Sequence, residues 1–172
     1  HGRHRFVELA ALGDEFVLKF DAHDRRLLRL DFRAARSEGR YTVGKPEGDW
    51  ARVRPGGADL AWFHPTMGAT IYFDSNCMSR YDDGELDDLI THLTFGLAQG
   101  NPVREETLTL DNRDALLRVY NGAVDGVEVR VGAVVTKKNL CLYDGLYIAS
   151  PAVFDDGWGT FVQILSEFKT KD

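Results

Sequence analysis

The sequence predicts an α+β fold, an antiparallel sheet with helices packed on its faces, on three observations. Valines alternate at Val127, Val129 and Val131 with Val135 in phase, and a second alternating run follows at Leu140, Leu142, Leu146 and Ile148. Period-two patterns bounded by turn residues read as antiparallel strands. Leu86, Leu89, Ile90, Leu93 and Leu97 recur at steps of three and four, the stripe of an amphipathic helix. Trp158, Phe161, Leu165 and Phe168 repeat that spacing near the end. The order of strands, helix, strands, helix gives helices on an antiparallel sheet rather than alternating βαβ units.

With 172 residues, 44% of them hydrophobic, the chain suits one domain with a substantial core. We divide it into an N-terminal extension, 1–38, and an α+β domain, 39–172. In the extension Phe16, Leu18 and Phe20 alternate, as do Leu28, Leu30 and Phe32, which fits a hairpin turned over Asp21 to Arg26. A helix over Arg25 to Arg36 is the competing reading. Tyr41 and Val43 precede a turn at Gly44 to Gly48, and Trp50 follows it as a cover for a core edge. Leu60 and Trp62 then pair across His64 to Gly68 with Ile71, Phe73, Ser75 and Cys77.

The first helix is expected over about 83–99. Asp82 and Glu85 have capping-box spacing, Asp87 and Asp88 lie at the positive end of the helix dipole, and Gly100-Asn101-Pro102 stops it. Gly96 lies inside that span, where it would permit close packing on the sheet. Strands are expected at about 107–110 and 115–120, followed by the meander with Asp125-Gly126 as its first turn. Asp155 or Asp156 caps the closing helix, and Lys169 and Lys171 sit at its carboxyl end.

The net charge of −6 and pI near 5.4 argue against a general binder of nucleic acid or anionic membranes, which needs a large positive surface. The charge is uneven: residues 1–54 hold 12 Lys+Arg against 9 Asp+Glu, and residues 55–172 hold 9 against 18. Six arginines between Arg25 and Arg40 read first as a solvated basic face beside an acidic domain. No run approaches the roughly 18 apolar residues of a membrane span. The chain opens at His1-Gly2-Arg3-His4 without methionine, which reads as a processed or trimmed product from which an export signal could have been removed.

Cys77 and Cys141 both fall in expected strands. Where those strands approach one another, the cysteines can reach the roughly 4.4–6.8 Å Cα separation of a disulfide. Such a bond would close a long loop and stabilise by about 4 kcal/mol through the unfolded state. Two separately buried, reduced cysteines are the alternative. A metal site is not expected, because C-x-x-C spacing and a neighbouring histidine pair are both lacking. A thiol enzyme, hydrolytic or redox, would need Cys77 with His92 or His64 and a carboxylate such as Asp144, or a reactive Cys141; nothing around Cys77 resembles a strained nucleophile turn. No catalytic residue, cofactor or nucleotide motif is assigned.

Asp144 continues the face of Leu142 and Leu146, where a lone carboxylate is costly. Three outcomes stay open: a bulge at Asp144-Gly145 turning it outward, an ion pair with Arg118 or Arg130, or a place in a ligand pocket. Tyr143 and Tyr147 are candidates for a recognition face, against ordinary packing. The binding candidates are therefore Tyr143, Asp144, Tyr147 and Arg118.

The segment from Asp49 to Phe168 resembles the PsbP-like fold family. The residues that carry the resemblance are GRYTVGKPEGDW at its entry, ATIYFDSNC, ITHLTFGLAQG, NLCLYDGLYIASPAVFDDG and the final FVQILSEF. The family includes an extrinsic photosystem II protein, a nuclear-transport factor that binds the GTPase Ran, and bacterial exported lipoproteins. What the resemblance implies is an antiparallel sheet flanked by helices, a periplasmic or extracellular setting with a lipid anchor conceivable, and a non-enzymatic role binding a protein partner or small ligand. A cytosolic GTPase-binding adaptor is the further alternative by the same analogy. The resemblance supplies no shared catalytic residues, and no lipid-bearing cysteine is present.

Overall fold

This computed structural model describes the strand backbones at 6–11, 16–21 and 26–28, and the chain at 41–53, 58–77 and 84–171. Strands β1 (Phe6–Ala11), β2 (Phe16–Asp21) and β3 (Arg26–Leu28) make a small antiparallel sheet in sequence order. Asp21 stands opposite Arg26, so the N-terminal alternation forms a hairpin at the expected turn rather than a helix there. Leu30 and Phe32 lie outside the described residues.

The main body is a seven-stranded antiparallel sheet. Its strands are β5 (Ala51–Val53), β6 (Leu60–His64), β7 (Ala69–Asn76), β8 (Arg104–Leu110), β9 (Arg113–Val124), β10 (Val127–Lys138) and β11 (Cys141–Ala149), in the spatial order β5-β6-β7-β11-β10-β9-β8. Three of its hairpins turn on two residues with left-handed φ: Asp111-Asn112, Asp125-Gly126 and Asn139-Leu140. Such turns match the twist of the strands they join. Two short strands, β4 (Tyr41–Thr42) and β12 (Lys169–Thr170), pair with each other and tie the start of the domain to its end.

Both faces of the central strands are buried. On one face Tyr143, Tyr147 and Ala149 of β11 and Val134 of β10 pack under helix α2 (Phe154–Ser166), which contributes Phe161, Ile164 and Leu165. On the other, Val131, Ala133, Val135, Leu142, Leu146 and Ile148 pack with helix α1 (Leu86–Leu93) through Ile90, Leu86, Leu89 and Leu93. Flanking helices therefore make both phases of the β11 alternation core. Gly132 admits α2, since a Cβ there would lie 2.5 Å from the Trp158 ring.

Helix α1 is shorter than its periodicity predicts. Thr94 caps it, and Gly96 follows at φ +82°, with nothing near its Cα that a side chain would strike. Gly96 is therefore a left-handed terminator, not a packing glycine inside a helix. The chain from Leu97 then turns onto β9: Gln99 N–H donates to Asn121 O at 2.8 Å and Ala98 bridges Gly122. Asp82 lies outside the described residues, and Glu85 is the N-cap without a side-chain bond. At α2 the N-cap is Val153, with Asp155 and Asp156 inside the first turn. Lys169 lies beyond the helix, in β12.

Candidate functional site

Every neighbouring pair in the large sheet is a hairpin except β7–β11, which joins the β5-β6-β7 set to the β8–β11 meander. At the end of this pairing Leu142 stands opposite Asn76, and one step further Cys77 and Cys141 form a disulfide with their Cα atoms 4.0 Å apart. Neither cysteine is a thiol in this structure. The expectation left two cysteine states open because sequence does not reveal which strands meet across a crossover.

Two rungs inward from Leu142, Asp144 faces Asp74 directly, and the ladder runs through both without a bulge: Val135, Asp144 and Asp74 are successive partners, as are Val134, Gly145 and Phe73. Asp144 is thus not turned outward. Gly145 serves a different need, for a Cβ there would sit 2.5 Å from the Phe73 ring. Nor does Asp144 pair with arginine. Arg118 reaches Asp87 of α1 and, at 2.6 Å, Glu105 of β8, while Arg130 donates to Asn121 at 3.2 Å. Two like charges directly opposite on adjacent strands destabilise the pairing.

Both carboxyls resist ionisation. Burial, then the charge of Asp59, pushes Asp74 up to about 7, with the amide N–H groups of Ser75 and Asp59 working the other way. Burial, then the charges of Asp74 and Asp59, holds Asp144 well above the usual carboxylate range. Tyr72, on the same strand face as Asp74, is raised by burial and then by Asp144 and Asp74. Asp59 itself accepts from Ser75 Oγ at 2.7 Å.

Beneath α2, the Tyr41 hydroxyl is buried and lacks a hydrogen-bond partner within bonding distance. Burial and then the charge of Asp59 push its phenol above the ordinary range. Tyr41 borders a cavity of about 10 Å³ with Phe73, Val134, Thr136, Tyr143 and Phe168, about the space of one water.

Tyr143 and Tyr147 lie in the core beneath α2. They are 4% and 0% exposed, Tyr147 donating its hydroxyl to Phe154 O at 2.8 Å under α2. The second helix makes core of what alternation alone leaves on a surface. Arg118 fastens α1 to the sheet through Asp87. His64 Nδ1 accepts from Met67 N at 3.2 Å, which shapes the β6–β7 turn. Among the described residues no group of three His, Cys, Asp or Glu could hold a metal ion, and no helix is long and apolar enough to cross a membrane. The sequence reading missed Asp74, although its place after Tyr72 and Phe73 already put a carboxylate in an apolar strand.

The chain has a PsbP-like α+β fold, with a disulfide and an opposed acid pair on one strand pairing. Among solved structures it is similar to the cyanobacterial PsbP protein CyanoP of Synechocystis, at 16% identity and TM-score 0.55 over 80% of this chain and 90% of that one. LpqN of Mycobacterium tuberculosis, involved in cell envelope biogenesis, is similar at 10% identity and TM-score 0.55 over 77% and 83%. A Pseudomonas aeruginosa protein of unknown function, PA94, aligns at 11% identity and TM-score 0.50 over 99% of each chain. No protein-family model matches the sequence, and no curated protein matches it.

Proposed function

We propose that this chain is an exported, non-enzymatic binding or assembly domain of the bacterial envelope, with a protein or small ligand as its partner. The observation that carries the reading is the Cys77–Cys141 disulfide, a bond that persists in oxidising compartments and is rare in the cytosol of mesophiles. The likeness to LpqN, whose own role is in envelope biogenesis, supports the setting by fold alone. A disulfide also occupies the sulfur a cysteine nucleophile would need.

Free-thiol titration of native and denatured protein, with intact mass before and after reduction, tests this. No titratable thiol and a gain of about two hydrogens on reduction are expected from protein made with an export signal. Two free thiols in that protein would overturn the reading and favour the cytosolic one. Fractionation of cells expressing it should place it outside the cytoplasm, and detergent-phase partitioning would separate a lipid-anchored form from a free one.

A further inference from the structure

β7–β11 is where the two hairpin-linked halves of the sheet meet. It carries one covalent tie at its end, Cys77–Cys141, and one electrostatic liability further in, Asp74 opposite Asp144. We propose that β7–β11 is a redox-gated seam: the disulfide holds closed a pairing that the opposed carboxylates bias toward opening, and a dithiol reductant releases it.

The sulfurs differ in access. Cys141 is 5% exposed, whereas Cys77, the residue after β7, is only partly buried. An incoming thiolate attacks Cys77 Sγ, the Cys77–Cys141 bond breaks, and Cys141 leaves as a thiolate that takes up a proton. The second thiol of the reductant then displaces Cys77. The reductant ends as a disulfide, and its two hydrogens reside on Cys77 and Cys141.

Once the tie is cut, opening the seam hydrates Asp74 and Asp144 and lets both ionise, so opening releases protons and becomes easier as pH rises. The groups around the pair do not cancel this tendency. Asp59, from the connection before β6, adds negative charge, and Tyr72 of β7 and Tyr41 of β4 are neutral phenols. Lys137 of β10, on the same sheet face, donates from Nζ to Gly84 O and keeps its positive charge, yet it lowers neither carboxyl, which burial and neighbouring aspartates dominate. Arg118 of β9 is held by Asp87 and Glu105. Helix α1 turns Leu86, Leu89, Ile90 and Leu93 toward this face and leaves Glu85, Asp87, Asp88 and His92 exposed.

Hydrogen exchange read by mass spectrometry on oxidised and dithiothreitol-reduced protein, at pH 6 to 8.5 with intrinsic rates corrected, tests the seam. Reduction is expected to speed exchange about tenfold or more in peptides from 69–77 and 141–149, with the β9–β10 turn region unchanged. The excess should grow with pH, by up to roughly tenfold per unit for each proton released. In Asp144→Asn, or Asp74→Asn should that variant not fold, the growth with pH should weaken, because one proton fewer is released on opening. Acceleration spread evenly over all strands, no acceleration, or acceleration with the same pH dependence in the variant would each overturn the proposal. Intact mass on the same samples separates the two readings: no disulfide after oxidation sinks this inference and the exported reading together, whereas a disulfide without a seam response sinks this inference alone.

Discussion

Asp111 Oδ2 accepts both the backbone N–H and the hydroxyl of Thr170, at 2.9 and 2.7 Å. The same carboxylate pairs with Lys138 at 2.8 Å and Lys169 at 3.3 Å. A residue of the β8–β9 turn thereby fixes β12, and β12 pairs with β4, which places Tyr41 in the core. Lys138, then Thr170, holds the Asp111 carboxyl well below the ordinary range. Because the folded value is lowered, the contribution to stability is present above the unfolded pKa of about 4 and is lost as pH falls below it. Asp111→Asn should lower the melting temperature at pH 7 and flatten the acid limb of the stability curve. Thermal melts of both proteins from pH 2 to 7 check this; parallel curves would rule it out.

The acid pair has the opposite sign. Asp74 titrates at about 7 in the fold against an ordinary 3.8. The penalty for burying it is absent below pH 4, grows between pH 4 and 7, and is complete above that. Asp74→Asn should therefore stabilise the protein at pH 8, on the order of 1–3 kcal/mol, and change little at pH 4. Urea unfolding at the two pH values decides it, and equal effects at both would mean the charge is not the cause.

Much of the architecture was legible from periodicity. The Leu86 to Leu97 stripe marked α1, Phe161 and Leu165 marked α2, and Val131 with Leu146 marked central strands. Features that depend on register between distant strands were not. Asp74 and Asp144 are 70 positions apart, and only the β7–β11 crossover puts them face to face. The disulfide was left open for the same reason. Burial of Tyr143 and Tyr147 depends on α2 returning over β11, a tertiary fact that a period-two pattern does not contain.

Tyr41 carries a buried hydroxyl without a partner. An unsatisfied buried polar group costs roughly 1–3 kcal/mol, and phenylalanine keeps the ring contacts with Tyr143 and Phe168. Tyr41→Phe should leave stability unchanged or raise it by about 1 kcal/mol. A clear loss in urea unfolding would show that the hydroxyl is hydrogen-bonded in solution, for which the adjoining cavity has room for one water.

Gly145 should tolerate no side chain. The added methyl of Gly145→Ala would lie 2.5 Å from Phe73 Cε1 and 3.1 Å from Val134 Cγ1, in a core layer that continues to Phe161 of α2. Overpacking of this kind costs about 1–3 kcal/mol. Denaturant unfolding should show that loss with an unchanged m-value, and a neutral result would mean that the Phe73 ring moves freely aside.

Leu140 is the residue that alternation misplaced. Its apolar character continues the pattern of Leu142, yet it occupies the second position of the β10–β11 turn at φ +63° and is 73% exposed. A β-carbon in the left-handed region costs roughly 1–2 kcal/mol. Glycine removes that strain while adding freedom to the unfolded chain, a cost of roughly 0.5–1 kcal/mol. Leu140→Gly should therefore stabilise by a few tenths to about 1 kcal/mol. Asn139 before it already suits a left-handed position, so the variant creates the Asn-Gly pair most favoured in two-residue hairpins. Because Leu140 adds nothing to either core cluster, little packing is lost to offset the gain. Urea unfolding of the variant with the disulfide intact is the measurement, and a loss of stability would mean that the exposed leucine is covered by a contact formed in solution.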